Sequence, residues 1–217
     1  MPGLGNWGTW PWQRARVTNQ AVANCRANTD CLLLSAMEQS LFFAITPDAS
    51  AMESCRLLAS DLRKKLGLKG KLIPPERLHV TLHHMGRHPA TPEYLLSTAK
   101  RIGAGLRMAP FEVGFDFIQT FTKPRNQPVV LRGEDRLLRG VKILQSELAD
   151  GLRAAGLDQY VENRNMPHLT LLYDDKGAPP HGIPHPVSWL VREFHLIRSL
   201  IGQGKHETLA TWALKER

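Results

Sequence analysis

The chain predicts an α+β domain: two quasi-equivalent lobes of antiparallel sheet, helices outside, and a central cleft. Three observations support this. Strand-like apolar runs are interspersed with amphipathic helical stretches. One short motif occurs twice, as Leu78-His79-Val80-Thr81-Leu82 and as Pro167-His168-Leu169-Thr170-Leu171. Each half of the chain supplies strands, a helix and one copy of that motif.

The elements follow in order. Residues 1 to 39 are rich in Gly, Pro and Trp with no helical or strand period, which predicts a flexible extension. Met37, just ahead of the first strong strand, is the expected true start of translation. An aromatic interaction tail is the rival reading, because Trp7, Trp10 and Trp12 fall within twelve residues. The domain proper is expected over 40–217.

Leu41 to Ile45 reads as the first strand. Pro47-Asp48 opens a helix in which Ser50 and Glu53 have capping-box spacing. Its stripe is Met52, Cys55, Ala59, Leu62 and Leu66, ending at Gly67. The first motif strand follows Pro74-Pro75. Thr91-Pro92 starts a second helix with Leu95, Ala99, Ile102 and Leu106 on one face.

Phe111–Ile118 and Val129–Arg132 read as strands joined by a loop over 119–128. A third helix, about Arg136 to Ala155, buries Val141, Leu144, Leu148 and Leu152 and is closed by Gly156. After the second motif strand come a Pro/Gly loop from Asp174 to Pro186 and closing strands near Val187–Ser199 and Glu207–Leu214. His181 and His185, in that loop, are expected to face solvent.

At 217 residues the chain suits one domain or two small lobes sharing a core. Hydrophobic residues make up 42% and charged ones 22%, a globular balance that excludes a low-complexity chain. Net charge is +8, which favours an anionic partner. Cys25, Cys31 and Cys55 are odd in number and form no C-x-x-C pair, so a reducing compartment is expected. No apolar run reaches membrane-spanning length and no secretory signal is visible. A cytoplasmic protein without membrane contact is expected, monomeric because no assembly motif stands out.

The doubled motif carries the chemistry. Residues two apart on a strand share a face, so Val80, Leu82, Leu169 and Leu171 point inward. His79 with Thr81, and His168 with Thr170, then point outward together. Among nine histidines a single His-x-Thr is unremarkable, but two copies with matched apolar flanks exceed chance. Two imidazoles can divide acid and base work while two hydroxyls hold an oxyanion, which suits metal-free phosphodiester cleavage. His83, His84 and His88 invite a metal reading. Four residues apart on a strand, however, His79 and His83 lie too far apart to chelate, and no metal is assigned.

With these motifs, the opening Leu41-Phe-Phe-Ala-Ile45 and the ending Leu209-Ala-Thr-Trp-Ala-Leu214, the chain resembles the 2H phosphoesterase superfamily. Within it, the resemblance is to the bacterial RNA 2′,3′-cyclic phosphodiesterases once called 2′-5′ RNA ligases. It extends over roughly Leu41 to Leu214. The resemblance implies hydrolysis of an RNA 2′,3′-cyclic phosphate end, or of a small cyclic nucleotide, to a 2′-phosphate without cofactor. It makes His79 the acid at the leaving oxygen, His168 the base on water, and Thr81 and Thr170 donors to the phosphate oxygens. The rival readings are 2′-5′ RNA ligation by the reverse reaction and a non-catalytic nucleotide- or RNA-binding module. One departure stands out: the family often has a phosphate-holding arginine three residues after the second threonine, and here that position is Tyr173. Lys123 and Arg125 are the expected replacements, with His83 as a further contact at the cleft rim.

Overall fold

A computed structural model describes residues 38–162 and 166–215. The chain divides into two units, Met1–Ser35 and Ala36–Arg217. All described residues lie in the second unit. Nearly all of the expected extension, including Met37 and the three tryptophans, lies outside the described residues.

The elements are β1 (Gln39–Ile45), α1 (Ala49–Leu66), β2 (Val80–His88), α2 (Glu93–Gly105), β3 (Phe111–Thr120) and β4 (Gln127–Arg132). They continue with α3 (Arg139–Ala154), β5 (Leu169–Asp174), β6 (His181–Val191), β7 (Glu193–Leu200) and β8 (Lys205–Ala213). The strands form one antiparallel sheet in the order β6-β3-β4-β5-β2-β1-β7-β8. The α+β expectation holds. The halves differ from the expected division, however. β3 to β6 make one, while β1, β2, β7 and β8, from both ends of the domain, make the other.

Those halves meet at a single strand pair, Val80 opposite Leu169. The helices cross that seam on one side of the sheet. α1, which follows β1, packs against β5 and β6 of the other half, and α3, which follows β4, packs against β2 as well as β3. Leu41, Phe43, Ile45, Val80, Leu82, Leu131, Leu169 and Leu171 join Cys55, Ala59 and Leu62 of α1 and Leu144, Leu148 and Leu152 of α3 in one core. Nonpolar burial of this kind, the dominant favourable term in folding, therefore spans both halves.

Local details correct three expectations. Asp48, not Ser50, caps α1, its Oδ1 accepting from the Ala51 N–H at 2.8 Å. Glu53 instead pairs with Arg56 at 2.6 Å. Gly67, at φ 62°, ends that helix as expected for a left-handed cap. Much of the expected loop before Pro186 belongs to β6. Pro184 and Pro186 fit there because β6 is an edge strand, and its register against β3 slips between Phe115 and Phe117, where no ladder bond is lost. The expected strand Val187–Ser199 is the end of β6 followed by β7, broken at Arg192.

Phe43, fully buried between sheet and helices, is the sharpest probe of the shared core. Phe43→Ala is expected to cost about 3–5 kcal/mol, read as a lower urea midpoint at unchanged slope.

Candidate active site

The single β2–β5 pair decides the geometry of the motifs. In an antiparallel ladder, extending the Val80–Leu169 register by one residue each way sets His79 opposite Thr170 and Thr81 opposite His168. Val80 and Leu169 are fully buried on the helix side, whereas the four motif side chains are half-buried on the other face. Directly opposed side chains stand about 4.5–5.5 Å apart at Cβ, so the four form a compact square.

Each imidazole is anchored in the same way. His79 Nδ1 donates to the Arg77 carbonyl at 2.7 Å, and His168 Nδ1 donates to the Met166 carbonyl at 2.9 Å. A carbonyl only accepts, so Nδ1 carries the proton in both rings. In the neutral form Nε2 is then the basic nitrogen. In each motif the carbonyl two residues upstream meets the ring.

The walls around the two rings differ. Phe42 stacks on His79 at 4.9 Å and 27°, and His206 meets His79 edge-on at 5.2 Å. On the other side Phe121 meets His168 edge-on at 4.9 Å. Burial is the main force holding the His79 pKa down to about 4, and the charges of His168 and Arg77 add to it. Burial likewise brings His206 to about 4, with the His79 and Arg77 charges helping. His168 is lowered chiefly by burial, then by the charges of Arg132 and Lys123.

Paired β-bulges set what lies beyond each threonine. Between β4 and β5, Val130 faces Thr170 but Val129 faces Leu172, so β5 holds one extra residue. Between β1 and β2, Ala44 faces Thr81 but Phe43 faces His83, so β2 does the same. Each bulge flips the following residues to the opposite face. Tyr173, three after Thr170, thereby joins the motif face, and it is 37% exposed. Its counterpart His84 joins the same face and bonds Ser40 Oγ at 2.7 Å through Nε2. The His84 Nδ1 accepts from the Gly86 N–H at 3.3 Å, so Nε2 is the donor and does not activate the serine.

The same flip corrects the expectation for His83. It lies on the core side, 2% exposed, with Nε2 donating to the Gln145 carbonyl at 2.8 Å. It does not line the rim. Of the other expected contacts, Lys123 lies near enough to influence His168, while Arg125 is exposed in the loop after β3. His185 is exposed as expected, and His181 is half-exposed with Nδ1 donating to the Pro179 carbonyl at 2.8 Å. Sequence reasoning missed Arg132, Phe42, Phe121 and His206. Arg132 was legible in principle as a lone charge ending the apolar run Val129-Val130-Leu131, whereas the aromatic walls have no spacing signal. Among the described residues, no cluster of three or more His, Cys, Asp or Glu is placed to hold a metal.

The eight-stranded antiparallel sheet with its helices defines an α+β fold shared with several solved structures. E. coli LigT in apo form matches with a TM-score of 0.65 at 25% identity, over 83% of this chain and 99% of that one. E. coli LigT complexed with 3′-AMP and the same protein complexed with phosphate each match at 0.61 and 26%, with the same coverages. No curated protein sequence matches. The family model described as the 2′-5′ RNA ligase superfamily matches residues 46–202, and the chain belongs to that superfamily, the 2H phosphoesterases. Among the described residues no helix is long and apolar enough to cross a membrane.

The lowered histidines predict a pH dependence. An unfolded histidine titrates near 6.5, so between about pH 6.5 and 4 the unfolded chain binds more protons than the fold at His79 and His206. Their contribution to stability is complete above that window and is lost as pH falls through it. NMR titration is expected to place both rings near 4, and urea unfolding to give lower stability at pH 5 than at pH 7.5.

Proposed function

We propose that this cleft opens the 2′,3′-cyclic phosphate at an RNA end, or of a small cyclic nucleotide, to leave a 2′-phosphate. The observation that carries the reading is the matched pair of imidazoles across one sheet rung, each held through Nδ1 so that Nε2 is left for proton transfer. His168 Nε2 removes a proton from water as its oxygen bonds to phosphorus. The bond from phosphorus to the 3′-oxygen breaks, and protonated His79 delivers a proton to that oxygen. Thr81 and Thr170 donate to the non-bridging oxygens as charge gathers there.

Burial and nearby charge push both rings toward the neutral form. A phosphodiester anion between them favours a protonated partner, so the acid is armed by the substrate it serves. The similar fold of E. coli LigT, solved with 3′-AMP and with phosphate, supports a nucleoside phosphate as the occupant. The same geometry run backwards would join ends through a 2′-5′ linkage, but water at its bulk concentration favours hydrolysis.

Incubation with 2′,3′-cyclic nucleotides and with RNA bearing that end, followed by product analysis, is expected to yield 2′-phosphates. His79→Ala and His168→Ala are each expected to slow the chemical step by about 10²–10⁴-fold. Tight nucleotide binding with no turnover in the wild type would reduce the protein to a binding module. A wild-type rate in either variant would remove that histidine from the reaction.

A further inference from the structure

The second motif offers Tyr173 where a guanidinium would hold phosphate, yet the neighbouring strand supplies one. β4 pairs with β5 through Leu131–Leu169 and Val130–Thr170. One more step of that register sets Arg132 directly beside His168, on the motif face. His168 therefore lies between Thr81 on one side and Arg132 on the other. The closeness is felt electrostatically: after burial, the Arg132 charge is the largest influence lowering His168.

The state of this guanidinium is unusual. One nitrogen, Nη1, donates to Gln119 Oε1 at 3.1 Å, a neutral partner on β3 that fixes its direction. Its Nε is buried and has no partner among the described residues. Asp135 is the carboxylate whose charge reaches it, but Asp135 Oδ1 accepts from Lys142 Nζ at 2.7 Å and that side chain is 91% exposed. Burial works against the Arg132 charge. A partly desolvated cation held by a neutral amide and lacking its own carboxylate loses solvation without full compensation. An arriving anion supplies what is missing.

Arginine suits that task because its planar fork can meet two phosphate oxygens at once, which a phenol cannot. We propose that Arg132 is the phosphate-holding cation on the His168 side of this cleft, replacing the guanidinium that Tyr173 does not provide. The inference rests on the cleft being a phosphate site, but not on its turning substrate over. The Lys123 charge also reaches His168, whereas Arg125 is exposed in the loop after β3.

The test uses the full chain and inorganic phosphate as probe, by calorimetry and by phosphorus NMR, with amide spectra reporting the fold. Arg132→Gln is expected to weaken phosphate binding about tenfold to a hundredfold, the range for a charged hydrogen bond. Arg132→Lys should fall between that variant and wild type, and Arg125→Gln should match wild type. Adding Tyr173→Arg to Arg132→Gln should recover part of the loss, and His168 should titrate higher in Arg132→Gln. A merely structural arginine predicts neither the rescue nor the graded lysine effect.

Unchanged phosphate affinity in folded Arg132→Gln overturns the assignment. If that variant fails to fold, wild-type affinity in Arg132→Lys does the same. Phosphate binding that depends on Arg132, in a protein that hydrolyses no cyclic phosphate, sustains this inference while ending the hydrolase reading. No phosphate binding by the wild type ends both.

Discussion

The structure turns on one rung of backbone pairing. Val80 opposite Leu169 is the only register pair between the named strands of the two halves among the described residues, with the Leu72–Leu172 and Met108–Lys215 bridges lying outside those strands, and both motifs begin beside it. So little ladder would hold two strands loosely. The crossed helices make up the difference, because α1 lies under the other half's motif strand and α3 under the first. Specific bonds reinforce the crossing. Gln145 on α3 accepts from His83 and donates to the Leu82 carbonyl, and Asp174 on β5 accepts from the Lys69 and Gly70 amides just after α1. A core common to both halves then keeps the four motif side chains at fixed separations.

Within that frame the bulges explain an odd spacing. Strict alternation carries a strand residue and its neighbour three along to opposite faces. One extra residue in each motif strand cancels that rule, so Thr81 shares a face with His84 and Thr170 with Tyr173. The same extra residue sends His83 into the core. A buried histidine bonding a helix carbonyl is a structural fastener, and its proximity to His79 along the chain is accidental.

The parts legible in the sequence were those written in local periodicity. The helical stripes Leu144-Leu148-Leu152 and Cys55-Ala59-Leu62 were readable, as was the outward pairing of each histidine with its threonine. What failed depended on partners distant along the chain. Nothing near His83 announces a bulge against β1, and nothing near Arg132 says that β4 will lie beside β5. Pro184 and Pro186 argued for a loop, and only the edge position of their strand admits them. Asp48 outcompeted Ser50 as a cap by a difference of two residues, within the usual uncertainty of a helix start.

The identical anchoring of the two imidazoles has a chemical consequence. Each ring presents the same tautomer, so the protein backbone does not by itself distinguish donor from acceptor. Regiochemistry must come from what is unlike: a stacked Phe42 and an edge-on His206 on one flank, an edge-on Phe121 and the Arg132 charge on the other. Under the proposed function, the flank that receives the nucleobase would orient the ribose, and the ribose oxygen turned toward His79 would be the one that departs.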